Sequence, residues 1–474
     1  MSAENLFALA SVLVVFLALL AVRFHVGLSL MLAGMVGVVM LRTTDAAVST
    51  VASQPFSTSA DYSLTIIPLF MLMGVFAVHG RLAAAGFDGA SRMLGRFPGG
   101  SALASLAGSG MFAAVTGSSV ATVATMARVS TDAIVKAGHG IKLAAGVVSA
   151  GGTLGVLIPP SIVLVLYGVV TEESIGQLLL AGIGPGLLTI LVYGITIVLL
   201  VVRERRRAAR APAAAAAVGG STGSAAADGE AARPATDGAG TDVAGTDGAR
   251  PAPVTRPDRA GVAYLAVIFL VSIGSIYAGI ATPTEAASFG ATAALIILLI
   301  RTRPPRWMTV LKESVTEAVG LTAMTFLLMA GAGVFTYFLA LSGASSALVD
   351  AVVSADLAPY LVLVLCLLIL LPLGMFLDGV SMILVAAPLL HPILTEYGFD
   401  GIWLGILVVK VAEMALITPP VGMNAFVYAG SVPEAGLGRV FRGIVPFIVA
   451  DIVVVAILIL VPDIVTFLPE MGNA

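Results

Sequence analysis

Two breaks in apolar sequence, built alike, constrain this chain more than any other feature. Gly117-Ser118-Ser119 is followed, 42 residues after Ser118, by Pro160 in Ile158-Pro159-Pro160-Ser161. Leu377-Asp378-Gly379 is followed, 42 residues after Asp378, by Pro420 in Thr418-Pro419-Pro420-Val421-Gly422. Proline inside a helix removes a backbone donor and clashes with the carbonyl one turn back. Two adjacent prolines therefore unwind the helix locally and expose carbonyl oxygens. At membrane depth such backbone is tolerated only where protein or a water-filled cavity surrounds it. A pair of interrupted segments, one in each half of a chain, points to the binding site of a secondary transporter.

The setting of these breaks is a membrane. Hydrophobic residues make up 59% of the chain and charged residues 11%, against about 25% charged in soluble domains. Many apolar runs are long enough to cross a bilayer core of about 30 Å. Leu6–Val22 is one of them. No basic residue precedes it and no small-residue cleavage site follows, so it reads as a retained first span rather than a signal peptide. The single cysteine, Cys366, excludes an intramolecular disulfide and a multi-thiolate metal site. His25, His79, His139 and His391 are scattered, and no metal site is assigned to them.

Lys and Arg placement sets the topology. Arg203-Glu204-Arg205-Arg206-Arg207 and the group Arg301, Arg303, Arg306 and Lys312 are placed in the cytoplasm, joined by spans at 261–281 and 285–300 with Glu285 outside. The span 177–202 then runs inward, and 143–170 runs outward from Lys136, His139 and Lys142. Arg81, Arg92 and Arg96 are also placed inside, so both ends of 99–138 lie on one side and this stretch dips in and returns. No Lys or Arg falls between Lys312 and Lys410. Residues 357–397, flanked by Asp350, Asp356, Glu396 and Asp400, read as a second hairpin, entering from outside. The expected fold is an all-α polytopic membrane protein of inverted repeats, with about ten transmembrane helices and two re-entrant hairpins.

The chain divides accordingly. Residues 1–202 form an N-terminal membrane half with the first hairpin (99–138) and a broken helix (143–170). Residues 260–474 form a C-terminal half with the second hairpin (357–397) and a broken helix (402–428). Residues 203–259, almost free of large apolar side chains, read as a disordered cytoplasmic linker.

A hairpin tip facing an unwound helix offers two kinds of site. Exposed carbonyls suit hard cations, and half-helix N-termini suit anions. In the first half the candidate cation ligands are Ser118, Ser119 and the backbone at Gly155, Ile158 and Pro160. In the second half they are Asp378 and the backbone at Ala415, Thr418 and Val421, with the Thr418 hydroxyl also available. Thr116, Ser161, Gly379 and Asn424 are the candidate substrate contacts, although Asn424, just past the break, reads first as a cap of the second half-helix. A carboxylate deep in a membrane segment is a functional hypothesis by default, which singles out Asp378; the other reading is a structural cap or hydrogen-bond partner at the hairpin tip. Lys410 and Glu413, three apart on one helix face, read as a mutually neutralising pair, with a role in substrate or ion coupling as the other reading, and Arg128 with Asp132 as another structural pair. No HExxH, paired intramembrane aspartates or phosphate-binding loop occurs, so the chain is not read as an enzyme.

Four stretches carry a family resemblance: Phe112-Ala-Ala-Val-Thr-Gly-Ser-Ser119, Gly151-Gly-Thr-Leu-Gly-Val-Leu-Ile-Pro-Pro-Ser161, Gly374-Met-Phe-Leu-Asp378 and Leu416-Ile-Thr-Pro-Pro-Val-Gly-Met-Asn424. With the spans between them, the chain resembles the large permease subunit of tripartite ATP-independent periplasmic (TRAP) transporters, DctM-like, outside 203–259. The resemblance implies an elevator-type secondary transporter of the bacterial cytoplasmic (inner) membrane. It implies coupling to sodium ions at the residues just named, with no organic cofactor. Its substrates would be organic acids such as C4-dicarboxylates or sialic acid. Its partners would be a small four-helix membrane subunit, encoded separately, and an extracytoplasmic solute-binding protein. The other reading is a stand-alone proton- or sodium-coupled anion carrier with the same inverted-hairpin plan. Neighbouring reading frames for a four-span protein and a secreted binding protein separate the two.

Overall fold

The computed structural model describes residues 3–218, 259–374 and 377–472. Among them the regular elements are all helices, as expected where lipid offers the backbone no hydrogen bonds. Eight are long and apolar enough to cross a bilayer, or nine if the bent pair Ile141–Leu157 and Ile162–Thr171 counts as one span. The expectation was about ten. Some segments are individually short. Val26–Leu41 and Pro359–Leu373 fall below a full span, and a break divides Gly401–Ala415 from Met423–Ser431.

Each half contains the same device. Helices Gly100–Thr116 and Ser119–Lys136 form the first hairpin, and Pro359–Leu373 and Gly379–Glu396 the second. The first broken helix runs Ile141–Gly152, Leu154–Leu157 and Ile162–Thr171, with a bend of 43° across Pro159-Pro160. The second runs Gly401–Ala415 and Met423–Ser431 across Pro419-Pro420.

The two devices interlock. Ile162–Thr171, after the first break, packs on the second hairpin, and Met423–Ser431, after the second break, packs on the first. The contacts themselves repeat. Tyr167 meets the His391 ring edge-on at 6.0 Å, and Tyr428 meets Thr131 through hydroxyls 3.1 Å apart. From Thr131 to His391 is 260 residues, as from Ser118 to Asp378, and from Tyr167 to Tyr428 is 261. One apolar cluster joins the second hairpin to Ile162–Thr171 and to the long helix Trp307–Ser342. The other joins the first hairpin to Tyr428 and to the helix Leu437–Leu460.

Small residues permit the closest helix crossing. Trp307–Ser342 lies on Val26–Leu41 so tightly that a Cβ on Gly331 would stand 1.9 Å from the Gly27 carbonyl oxygen, which is the packing logic of membrane helices.

Two sequence expectations are revised. The helix beginning at Ile183 does not stop at residue 202 but continues through the Arg203–Arg207 cluster to Val218. Alanine and arginine are strong helix formers, so the expected linker's first residues extend the preceding span. Residues 219–258 lie outside the described residues. Arg128 and Asp132 are both exposed, and no ion pair joins them among the described residues. Exposed pairs at this spacing gain only a few tenths of a kcal/mol.

Candidate functional site

The first hairpin turns at Gly117, whose φ of 59° lies in the left-handed region that glycine enters without steric cost. Ser118 then caps the returning helix, its hydroxyl oxygen accepting from the Ala121 amide at 3.4 Å. The turn rests on the first break. A Cβ on Gly117 would lie 2.8 Å from the Pro160 carbonyl oxygen, and one on Gly155 would lie 3.2 Å from that of Ser118. Gly117, Ser118, Gly155 and Pro160 are thus brought together. Ile158 closes the short Leu154–Leu157 turn, its amide donating to Leu154 at 3.0 Å. Ser161 is buried and caps Ile162–Thr171, accepting from the Leu164 amide at 3.1 Å. The Thr116 hydroxyl stays local, donating to the Phe112 carbonyl at 3.2 Å.

The second tip is built around a carboxylate. Asp378 accepts from the Val380 amide at 3.3 Å through one oxygen and from the Ser381 hydroxyl through the other. Both interactions cap Gly379–Glu396, where a negative charge also favours the positive end of the helix dipole. Gly379, the first residue of that helix, lies against Glu413: a Cβ there would stand 3.1 Å from Glu413 Oε1. Ala415 is fully buried against Gly374. The Thr418 hydroxyl donates to the Met414 carbonyl at 2.7 Å. Val421 lies in the turn before Met423–Ser431.

Asn424 does not cap that last helix, because Gly422 stands at the cap position. Instead its amide nitrogen donates to the Ser119 hydroxyl at 2.8 Å and to the Ser149 carbonyl at 3.4 Å. It ties the second broken helix to the first hairpin and the first broken helix. Asn424→Ala should cost about 1 kcal/mol of stability, read as a lower unfolding midpoint, and should loosen the first tip. An unchanged midpoint would remove the tie from this account.

Both tips open on one cavity of about 330 Å³, within the size range of small-molecule sites. Thr116, Ser118, Ser119, Asp378 and Gly379 line it, with Glu413 and Glu317. Gly155, Ile158, Pro160, Ser161, Ala415, Thr418, Val421 and Asn424 do not line it; Thr418 and Val421 are half-buried and flank the exposed Pro419 and Pro420. The helices starting at Ser119 and Gly379 both begin at the cavity wall. No Lys, Arg or His is among the lining residues, so positive potential there comes from helix N-termini.

The expected pairing of Lys410 with Glu413 is corrected. Lys410 Nζ lies 2.5 Å from Asp451 Oδ1, on the helix Leu437–Leu460. The Tyr193 hydroxyl donates to the same oxygen at 2.7 Å and lies 3.3 Å from the Thr153 hydroxyl, just before the first break. Three residues along a helix permit contact, but the Lys side chain reaches across to a neighbouring helix instead. Glu413 is left at the cavity wall with Oε2 buried and unpartnered. Sequence reasoning missed Asp451, and gave Glu413 a role in substrate or ion coupling only as the alternative to its pairing with Lys410. The available signal was the one that singled out Asp378, an acidic residue within an apolar run.

The family model of the tripartite ATP-independent periplasmic transporter, DctM component, matches residues 13–464. A C4-dicarboxylate TRAP transporter large permease protein DctM from Pseudomonas aeruginosa is 31% identical over 423 residues, covering 89% of this chain and 90% of that protein. An ectoine TRAP transporter large permease protein TeaC from Halomonas elongata is 26% identical, covering 96% of this chain and 97% of that one. The crystal structure of the Alcanivorax borkumensis YdaH transporter shares the fold, with a TM-score of 0.55, 13% identity and coverage of 88% of each chain.

Proposed function

Because this chain belongs to the DctM component family of tripartite ATP-independent periplasmic transporters, a family of multi-pass membrane permeases, we propose that it is the large membrane subunit of a sodium-coupled importer of organic acids. One observation carries the reading: two hairpin tips from opposite halves, the first seated on its chain break and the second against the helix that leads into its own, meet at a single cavity. The tips bring hydroxyls and carboxylates to the cavity, and the breaks add backbone carbonyls, together the donor set of a hard cation. Ser118, Ser119 and the backbone of Gly155, Ile158 and Pro160 serve one sodium ion. Asp378 and the backbone of Ala415, Thr418 and Val421 serve another. The substrate carboxylate is received at the N-termini beginning at Ser119 and Gly379, beside Thr116, with Ser161 and Asn424 holding the surrounding layer.

The relatives support the substrate class, one being named for C4-dicarboxylate and another for ectoine. Delivery by an extracytoplasmic binding protein and assembly with a small four-helix membrane subunit complete the transporter, in the bacterial inner membrane. The cavity reaches Val78 and Glu317. There His79 Nε2 meets Glu317 Oε2 at 3.0 Å, close in sequence to Arg81 and Lys312. Positive residues favour the cytoplasmic side, so this conformation faces inward.

Uptake into vesicles tests the proposal. With small subunit and binding protein supplied, an inward sodium gradient should stimulate uptake of a bound organic acid. If an equal potassium gradient serves as well, sodium coupling is refuted. Asp378→Ala should raise the sodium concentration for half-maximal uptake by roughly tenfold or more, on the scale of one charged ligand. Unchanged sodium dependence would take Asp378 out of the site.

A further inference from the structure

We propose that the Glu413 carboxylate is itself a ligand of a sodium ion held between the two hairpin tips, a role that rests on the sodium-coupled reading above. Glu413 is 1% exposed, and its Oε2 is buried without a hydrogen-bond partner. Its Oε1 lies against Gly379 at the second tip. The Ser119 hydroxyl of the first tip lies beside the same carboxylate, and the side chain forms part of the cavity wall.

An ionised carboxylate removed from water needs a counter-charge or a full set of donors. The neighbours supply only part of this: the Ser119 hydroxyl as one donor, and the charge of Lys410, which is shared with Asp451. Lys410, one turn earlier, is committed to Asp451. Asp378 and Asp451, the other charged groups acting on Glu413, carry its own sign. No basic side chain is among the residues lining the cavity. Asp378 accepts one capping hydrogen bond on each oxygen and keeps a lone pair on each for the ion already assigned to it. Glu413 Oε2 and Asp451 Oδ2 are both buried without a partner, and of the two residues Glu413 is the one at the cavity wall.

A sodium ion bridging Glu413 Oε2 and the Ser119 hydroxyl neutralises that charge and ties the first hairpin to the second broken helix. Its ligands come from opposite halves of the chain, so the position is complete only when the first tip is seated against the second half. Occupancy of this position then reports tip closure, which a site built within one half does not.

Sodium-dependent thermal stabilisation of the full chain in lipid nanodiscs tests this, titrated in sodium chloride against choline chloride. Wild type should show a saturable rise in unfolding midpoint. E413Q keeps the shape and removes the charge, and should raise the half-saturating sodium concentration about tenfold or more. E413D retains the charge on a shorter arm and should fall between, which covers the case in which E413Q fails to fold. Half-saturation in E413Q equal to wild type overturns the proposal. So does a sodium response that persists while a pH response of wild type is lost, which would make Glu413 a proton carrier. Absence of any sodium response in wild type would instead sink the sodium-coupled reading itself.

Discussion

Replacing Lys410 with methionine is expected to destabilise the protein by about 3–5 kcal/mol, the cost of leaving a buried charge without its partner. Lys410 is 1% exposed and Asp451 is 0% exposed. Their contact of 2.5 Å is reinforced by the Tyr193 hydroxyl on the same carboxylate oxygen, and Lys410 Nζ also lies 5.5 Å from the centre of the Tyr193 ring. The pair joins the helix that leads into the second break to Leu437–Leu460 and to the long Ile183–Val218 helix. Without Lys410, Asp451 must stay ionised among apolar side chains or take up a proton. Methionine matches the length of the lysine stem, so packing is largely kept and the electrostatic loss dominates. The double variant Lys410→Met, Asp451→Leu should recover most of that loss, because a buried pair replaced by apolar residues of similar size is often neutral. Unfolding midpoints of the two single variants and the double variant measure the coupling. A single-variant loss under about 1 kcal/mol would show that the pair is effectively solvated.

Gly117→Val is expected to lower uptake by roughly a hundredfold, the scale of misplacing a functional group by about 1 Å. Two effects act together. The left-handed φ of 59° costs a β-branched residue about 1–3 kcal/mol. The added Cβ would also stand 2.8 Å from the Pro160 carbonyl oxygen, so the first tip must lift from its break and carry Ser118 and Ser119 with it. Gly138→Val separates the effects. Gly138 has a φ of 87° but nothing within 4 Å of a built Cβ, so that variant bears the strain without the clash. Uptake should survive Gly138→Val and fail in Gly117→Val, at equal amounts of protein in the membrane. Equal losses in both would assign the effect to backbone strain alone.

Much of this protein was legible before any fold was seen, and for a physical reason. A bilayer permits few backbone arrangements, so apolar length dictates helices and a double proline dictates a break. The turn residues were equally readable: Gly117-Ser118 and Asp378-Gly379 carry the chemistry that ends one helix and caps the next. The sequence also announced the family, through long motifs lying at these same breaks.

Side-chain partnership was not legible. Lys410 stands three residues from Glu413 and 41 from Asp451, and helical spacing favours the nearer candidate. The nearest helix to the lysine's tip decided otherwise. Asn424 illustrates the same limit. Its position suggested a cap, but the tertiary fold lays Met423–Ser431 against the first hairpin and turns the amide onto Ser119, 305 residues away. By itself the sequence determined local structure, the number of breaks and the residues at the tips, because those follow from backbone chemistry within a few residues. Only the tertiary structure decided which carboxylate is spent on a helix cap, which on an ion pair and which is left facing the cavity, because helices distant in sequence meet there.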